Sequence, residues 1–169
     1  MTTKGVPVAG WLPPREYVAT LPATTFYACL YFTDERGRPL QLRSVSEVEP
    51  WQFPGGNADH GETPWRTAVR ECAEETGIRV TGPPTRLLLA HHVAPRGDAW
   101  PAHHIGFVFD GGVLSEARLA ALRLDPAEHT EARVLSAREW EPLMPPAGFA
   151  RLRAVDGARR TGITAYLED

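Results

Sequence analysis

Residues 56–78, GNADHGETPWRTAVRECAEETGI, place acidic and apolar residues at helical spacing, and no other stretch constrains the chain as tightly. At about 100° per residue, Glu71, Glu74 and Glu75 share one face of a helix running from Pro64 to Thr76. Trp65, Ala68, Val69 and Cys72 fall on a second face about a third of a turn away. One side is built to pack, and the adjacent side is acidic. Thr63 suits the N-cap, Pro64 the first helical position and Gly77 the position just past the end, so this helix has a start and a stop. Three carboxylates within one turn repel each other and lower helix stability, a cost that a cation offsets. Oxygen ligands of this kind suit Mg²⁺ or Mn²⁺.

A chain of 169 residues is expected to form one domain with a sizeable core. Its net charge of −3 supplies no basic field, which excludes a nucleic acid polymer as the main partner. Small phosphorylated molecules stay open, because a metal supplies the missing positive charge. Cys29 and Cys72 both sit in apolar surroundings and read as reduced core residues. The start of the chain has no long apolar segment and no 18-residue apolar run occurs, so a cytoplasmic protein with no membrane partner is expected.

In chain order, residues 1–24 carry Pro7, Pro13, Pro14 and Pro22 and read as an extended arm with at most a short helix near 15–20. Trp11 and Tyr17 need a surface to lie on, that of the domain or that of a second subunit, and a homodimer contact is the preferred of the two. Residues 25–169 form the domain. Residues 25–33 are rich in β-branched and aromatic types and predict a buried strand, with 40–43 returning as its hairpin partner. Trp51, Gln52 and Phe53 enter a Pro-Gly-Gly turn, with burial the expected fate of Trp51 and Phe53. Strands are predicted at 79–80, 87–92, near 103–110 and 131–135, helices at 115–122 and 146–160, and a short tail after that.

The acidic stretch resembles the Nudix box, G-x5-E-x7-R-E-u-x-E-E-x-G-u with u apolar, at Gly56, Glu62, Arg70, Glu71, Glu74, Glu75, Gly77 and Ile78. Cys72 stands where that family usually has an aliphatic residue, a small departure since a buried cysteine behaves as a small hydrophobe. WLPPREY near the start, with FVFDGGVL and YLED later, resembles small Nudix proteins of actinobacterial type. The resemblance implies an α/β fold, an α/β/α sandwich with a mixed β-sheet. It also implies Mg²⁺-dependent hydrolysis of a nucleoside diphosphate linked to another moiety, by metal-activated water. On that basis Glu71, Glu74 and Glu75 are metal ligands, joined by the backbone carbonyl of Gly55. Glu62 is expected to hold a metal-bound water or to hold the helix in place, and Arg70 to orient the glutamates. The general base is a box glutamate or a carboxylate from Glu116, Glu128 or Glu131, with Glu128 and Glu131 favoured for their place just before the last strand.

Substrate is less constrained. Arg96, Trp100 and His104, on and beside the loop 94–104, are candidate substrate contacts through charge, stacking and phosphate hydrogen bonding. His91, His92, His103 and His104 form two adjacent pairs, but neighbours in a strand point to opposite faces, so each pair offers one imidazole to a common site and zinc is the weaker reading. Arg151, Arg153, Arg159 and Arg160 read as a solvated basic face of the last helix. Pro95 fits the proline of ADP-ribose hydrolases poorly, and no tyrosine lies between Ile78 and Asp110, where dinucleoside polyphosphate hydrolases tend to have one. A nucleoside triphosphate or a nucleotide sugar therefore stands level with ADP-ribose. The rivals are a non-catalytic nucleotide-binding or regulatory module, which has no need of three repelling carboxylates, and an isoprenyl diphosphate isomerase, which needs a cysteine in its pocket.

Overall fold

The computed structural model of the protein describes residues 11–46 and 49–169. Strand β1 (Thr24–Asp34) is the centre of the domain, buried from Ala28 onward because apolar residues occupy both of its faces. It pairs antiparallel with β4 (Gly55–Asn57) on one side and parallel with β6 (His103–Leu114) on the other. Beyond β6 lie β5 (Leu87–Val93) and β8 (Ala165–Glu168), giving the order β4-β1-β6-β5-β8. A second, antiparallel sheet has the order β3 (Trp51–Gln52), β2 (Leu40–Ser44), β7 (His129–Val134).

The pleat of β1 sorts the core. Ala28, Leu30 and Phe32 face Ala68 and Cys72 of α2 (Pro64–Thr76), while Cys29 and Tyr31 face Phe53 and Leu152 and Val155 of α5 (Pro146–Thr161). A mixed sheet with a helix on each face is the expected α/β/α arrangement. Helix α2 has the predicted bounds. Gly77 closes it at φ 72°, and Pro64 opens it, though the Thr63 side chain makes no capping hydrogen bond. Both cysteines are buried and unpaired.

Several expectations are corrected. Residues 40–43 do form a strand, but β2 belongs to the second sheet; its hydrogen-bonding partners are β3 and β7, and a single antiparallel bridge between Thr33 and Pro39, just ahead of β2, links it to β1. Local alternation marks a strand without naming its partner. Arg79 and Val80 form no strand. The expected tail is the edge strand β8, parallel to β5, with Ala165 and Leu167 turned inward; four alternating residues are too few to show a period. The arginines of α5 do not share one solvated face, because Arg151 and Arg159 lie on the inward side with Val155 while Arg153 and Arg160 are exposed. In the arm, helix α1 (Pro14–Ala19) buries none of its side chains, and Trp11 and Tyr17 are exposed. Residues 1–10 of the arm lie outside the described residues. No helix among the described residues is long and apolar enough to cross a membrane.

Candidate active site

The edge strand β4 carries two glycines where it runs beside α2. Leu30 N–H donates to Pro54 O at 2.8 Å and Ala58 N–H to Phe26 O at 3.2 Å, so even-numbered positions bond β1 and the backbone of Gly55 and Asn57 faces away from it. That outer edge meets the acidic face of α2. Gly55 N–H donates to Glu75 Oε2 at 2.7 Å, and Asn57 O accepts from Arg70 Nη2 at 3.2 Å. The Gly55 carbonyl shares this edge. A side chain at Gly56 would place its Cβ 2.7 Å from the Glu71 carboxylate, and one at Gly55 would strike the backbone of Ala28 and Cys29. The glycines let the carboxylates reach the strand.

Glu75 is buried, and each of its oxygens accepts a hydrogen bond, Oε2 from Gly55 and Oε1 from His129 Nε2 at 2.6 Å. Burial raises its carboxyl above the usual range despite the pull of His129 and Gly55. For His129, burial opposes protonation, but the hydrogen bond and charge of Glu75 outweigh it and the imidazole titrates higher than normal. Glu128 completes this corner. One atom each from Glu75, Glu128 and His129 lie within 4.8 Å of one another, close enough to share a cation. Sequence reasoning did not single out His129; the signal was a histidine at the mouth of β7, beside the favoured Glu128.

Arg70 gathers the other carboxylates. Its Nε and Nη2 donate to the two oxygens of Glu62 at 2.8 and 2.9 Å, and its Nη1 donates to Glu71 and Glu74, each at 2.9 Å. Glu62 also accepts from Thr67 Oγ1 at 2.9 Å and from Asp59 N–H at 3.0 Å, ties that clip the preceding loop to the helix. The Arg70 fork holds the Glu62 carboxyl down to about 2. Burial moves Glu71 the other way, with Glu75 and Glu74 adding to the rise against Arg70.

The two candidate bases part company. The register of β7 against β2 slips between Arg43 and Ser44, whose partners are Glu131 and His129, so Thr130 is an extra residue in the strand. His129 turns to Glu75, whereas Glu131 pairs with Arg133, whose guanidinium lies over the Trp51 ring. Glu116 sits exposed in the first turn of α3 (Glu116–Ala120).

On the α5 side of β1, a cavity of about 400 Å³ opens next to Gly55, Gly56 and Asn57, so β4 is a wall shared with the glutamates. Arg96, Trp100 and His104, the three predicted substrate contacts, all line it. Trp100 and Tyr27 both lie against the His104 ring, with centroids at 4.7 and 4.9 Å. The pleat divides the histidines as expected. His91 and His104 face the cavity, while His92 and His103 hydrogen bond each other at 2.9 Å. Arg151 also enters, only 12 % exposed and paired with Glu49 at 2.8 Å. Neither was read from the sequence as a site residue, since a buried arginine and a surface arginine share the same helical spacing.

The chain is similar to several known proteins. It is 35 % identical over 144 residues to the CMP-5'-(N-acetyl-N-hydroxy-3-aminopropyl)phosphonate hydrolase of Streptomyces rubellomurinus, covering 83 % of this chain and 63 % of that protein. It is 41 % identical over 49 residues to an RNA pyrophosphohydrolase of Saccharophagus degradans, 29 % of either chain. The chain thus spans less than two thirds of the length of these relatives. Its fold is that of a MutT protein from Methanosarcina mazei, with a TM-score of 0.64 at 24 % identity over 83 % of this chain and 96 % of that one. The NUDIX domain family model matches residues 23–155, which include the acidic helix, the glycine strand and most of the cavity wall, and the chain belongs to that family.

Proposed function

We propose that the protein hydrolyses a phosphoric anhydride in a nucleoside diphosphate derivative with Mg²⁺, or Mn²⁺, as cofactor. The observation that carries this reading is the charge imbalance beside the cavity. Five carboxylates, Glu62, Glu71, Glu74, Glu75 and Glu128, face one guanidinium and one imidazole. An all-oxygen donor set of this charge fits a hard divalent cation. Glu71, Glu74, Glu75 and the Gly55 carbonyl would hold it. When bound, such a cation neutralises phosphoryl oxygens and makes water a better nucleophile.

The remaining work falls to the chain. Glu128 is the general base, taking the proton of the attacking water as the bridging P–O bond breaks and the leaving phosphate departs; its place beside Glu75 supports the role. Arg70 and Glu62 are positioning residues that fix the pitch of the glutamates on α2, and His129 does the same for Glu75. The cavity receives the nucleoside, through Arg96, Trp100 and His104. Its size and the CMP-linked name of the Streptomyces relative both support a nucleoside-containing substrate.

The test is a panel of nucleoside diphosphate derivatives incubated with Mg²⁺, with and without chelator, reading released nucleoside monophosphate or phosphate. Metal-dependent turnover of at least one member is expected. No turnover across the panel would favour the non-catalytic nucleotide-binding module instead.

A further inference from the structure

The polar end of the cavity has a hydrogen-bonding polarity that follows from a few contacts. Asp169 Oδ2 lies 2.9 Å from His91 Nε2 and, as a carboxylate, only accepts, so the Nε2 of buried His91 carries the proton. Burial pushes the His91 imidazole below its usual range, so the ring is neutral at pH 7 and its other nitrogen, Nδ1, accepts from the Tyr27 hydroxyl at 3.1 Å. The Tyr27 oxygen therefore has only lone pairs left for the cavity. Glu49 is a second acceptor, held by the Arg151 guanidinium through contacts of 2.8 and 3.5 Å. Arg151 keeps the Glu49 carboxyl below its usual range despite burial, so Glu49 accepts at neutral pH. Arg151 itself, with five N–H groups, is the donor between these acceptors.

A donor beside an acceptor, fronted by the rings of Trp100 and His104, matches one kind of base edge. We propose that the cavity is a nucleobase site selective for an amidine edge, as in cytosine or adenine, whose amino group donates to Glu49 while the adjacent ring nitrogen accepts from Arg151. Replacing the amino group by oxygen, as in uracil or hypoxanthine, reverses both partners at once. A carbonyl then faces the Glu49 carboxylate, and a ring N–H faces the guanidinium. Selectivity comes from that repulsion as much as from the matched pair. The inference deepens the hydrolase reading, on which it rests for the position of the phosphates beyond β4.

Calorimetry on the full chain with CMP against UMP and AMP against IMP, all with MgCl₂, separates the two ideas, since monophosphates contain no anhydride to cleave. Failure of the turnover panel leaves this measurement intact. In each pair the amino member should bind about 10-fold tighter or better. Glu49→Gln, at a half-exposed position, should bring both pairs within about 3-fold of each other, since a glutamine amide presents either polarity. Trp100→Leu should weaken all binders alike. Equal binding within the wild-type pairs, a preference that survives Glu49→Gln, or no binding by any of the monophosphates overturns the proposal.

Discussion

The acidic face of α2 and the cavity across β4 are built in opposite ways. The first comes from consecutive residues of one loop and helix and holds more negative charge than its protein partners offset. The second comes from Tyr27, Glu49, His91, Arg151 and Asp169, scattered over the chain, and these polar groups are hydrogen bonded to one another in pairs. Charge imbalance marks the place for an added ion, and paired, directional groups mark the place for a shaped ligand. Two glycines are all that separate them.

Perturbing the acidic side should give the largest effects on turnover. Glu75→Gln is expected to cut metal-dependent hydrolysis by about 10³-fold, several kcal/mol of transition-state stabilisation, with the fold intact by circular dichroism. More than a tenth of wild-type activity would remove Glu75 from the metal site. Next comes the contrast between the bases, with Glu128→Gln falling about 10²-fold and Glu131→Gln staying within about 2-fold in the same assay. A reversal of the two would return the base to β7.

The shared wall offers a finer test. Gly56→Ala has the tip of the Glu71 side chain as its nearest obstacle, so the domain should melt within about 1 kcal/mol of wild type while turnover drops about 10-fold. Gly55→Ala meets backbone and should cost about 3 kcal/mol in denaturant titration. If both variants were equally stable, β4 would not be the rigid partition described. The smallest effect concerns Glu62, whose carboxyl titrates near 2 in the fold against an ordinary 4.5. Its contribution is complete above pH 4.5 and is lost as the pH falls toward 2, so the stability gap to Glu62→Gln, about 1 kcal/mol at pH 7 for this partly exposed group, should close in acid. A gap that widened in acid would break the link between Glu62 and Arg70.

Much of the acidic side was legible in advance. Helical periodicity, a proline at the start and a glycine at the end are local signals, and they placed α2 and its three glutamates with their bounds. The same local signals placed β1, β2 and α5, but misassigned the partner of β2 and did not show β8. Arg96, Trp100 and His104 were legible as a cluster because one loop and one strand end carry them. Arg151 was read as solvated because helical spacing reports a face, not what covers it.

What the chain determined by itself is the helix, its acidic face and the family to which that box belongs, because each is set by residues within a few turns of one another. Tertiary structure alone decided that His129 reaches Glu75, that Glu128 and not Glu131 stands beside it, and that Arg151, Glu49 and Tyr27 close one cavity. Those contacts depend on strand order and on a bulge at Thr130, and register between distant segments leaves no periodic trace in the sequence.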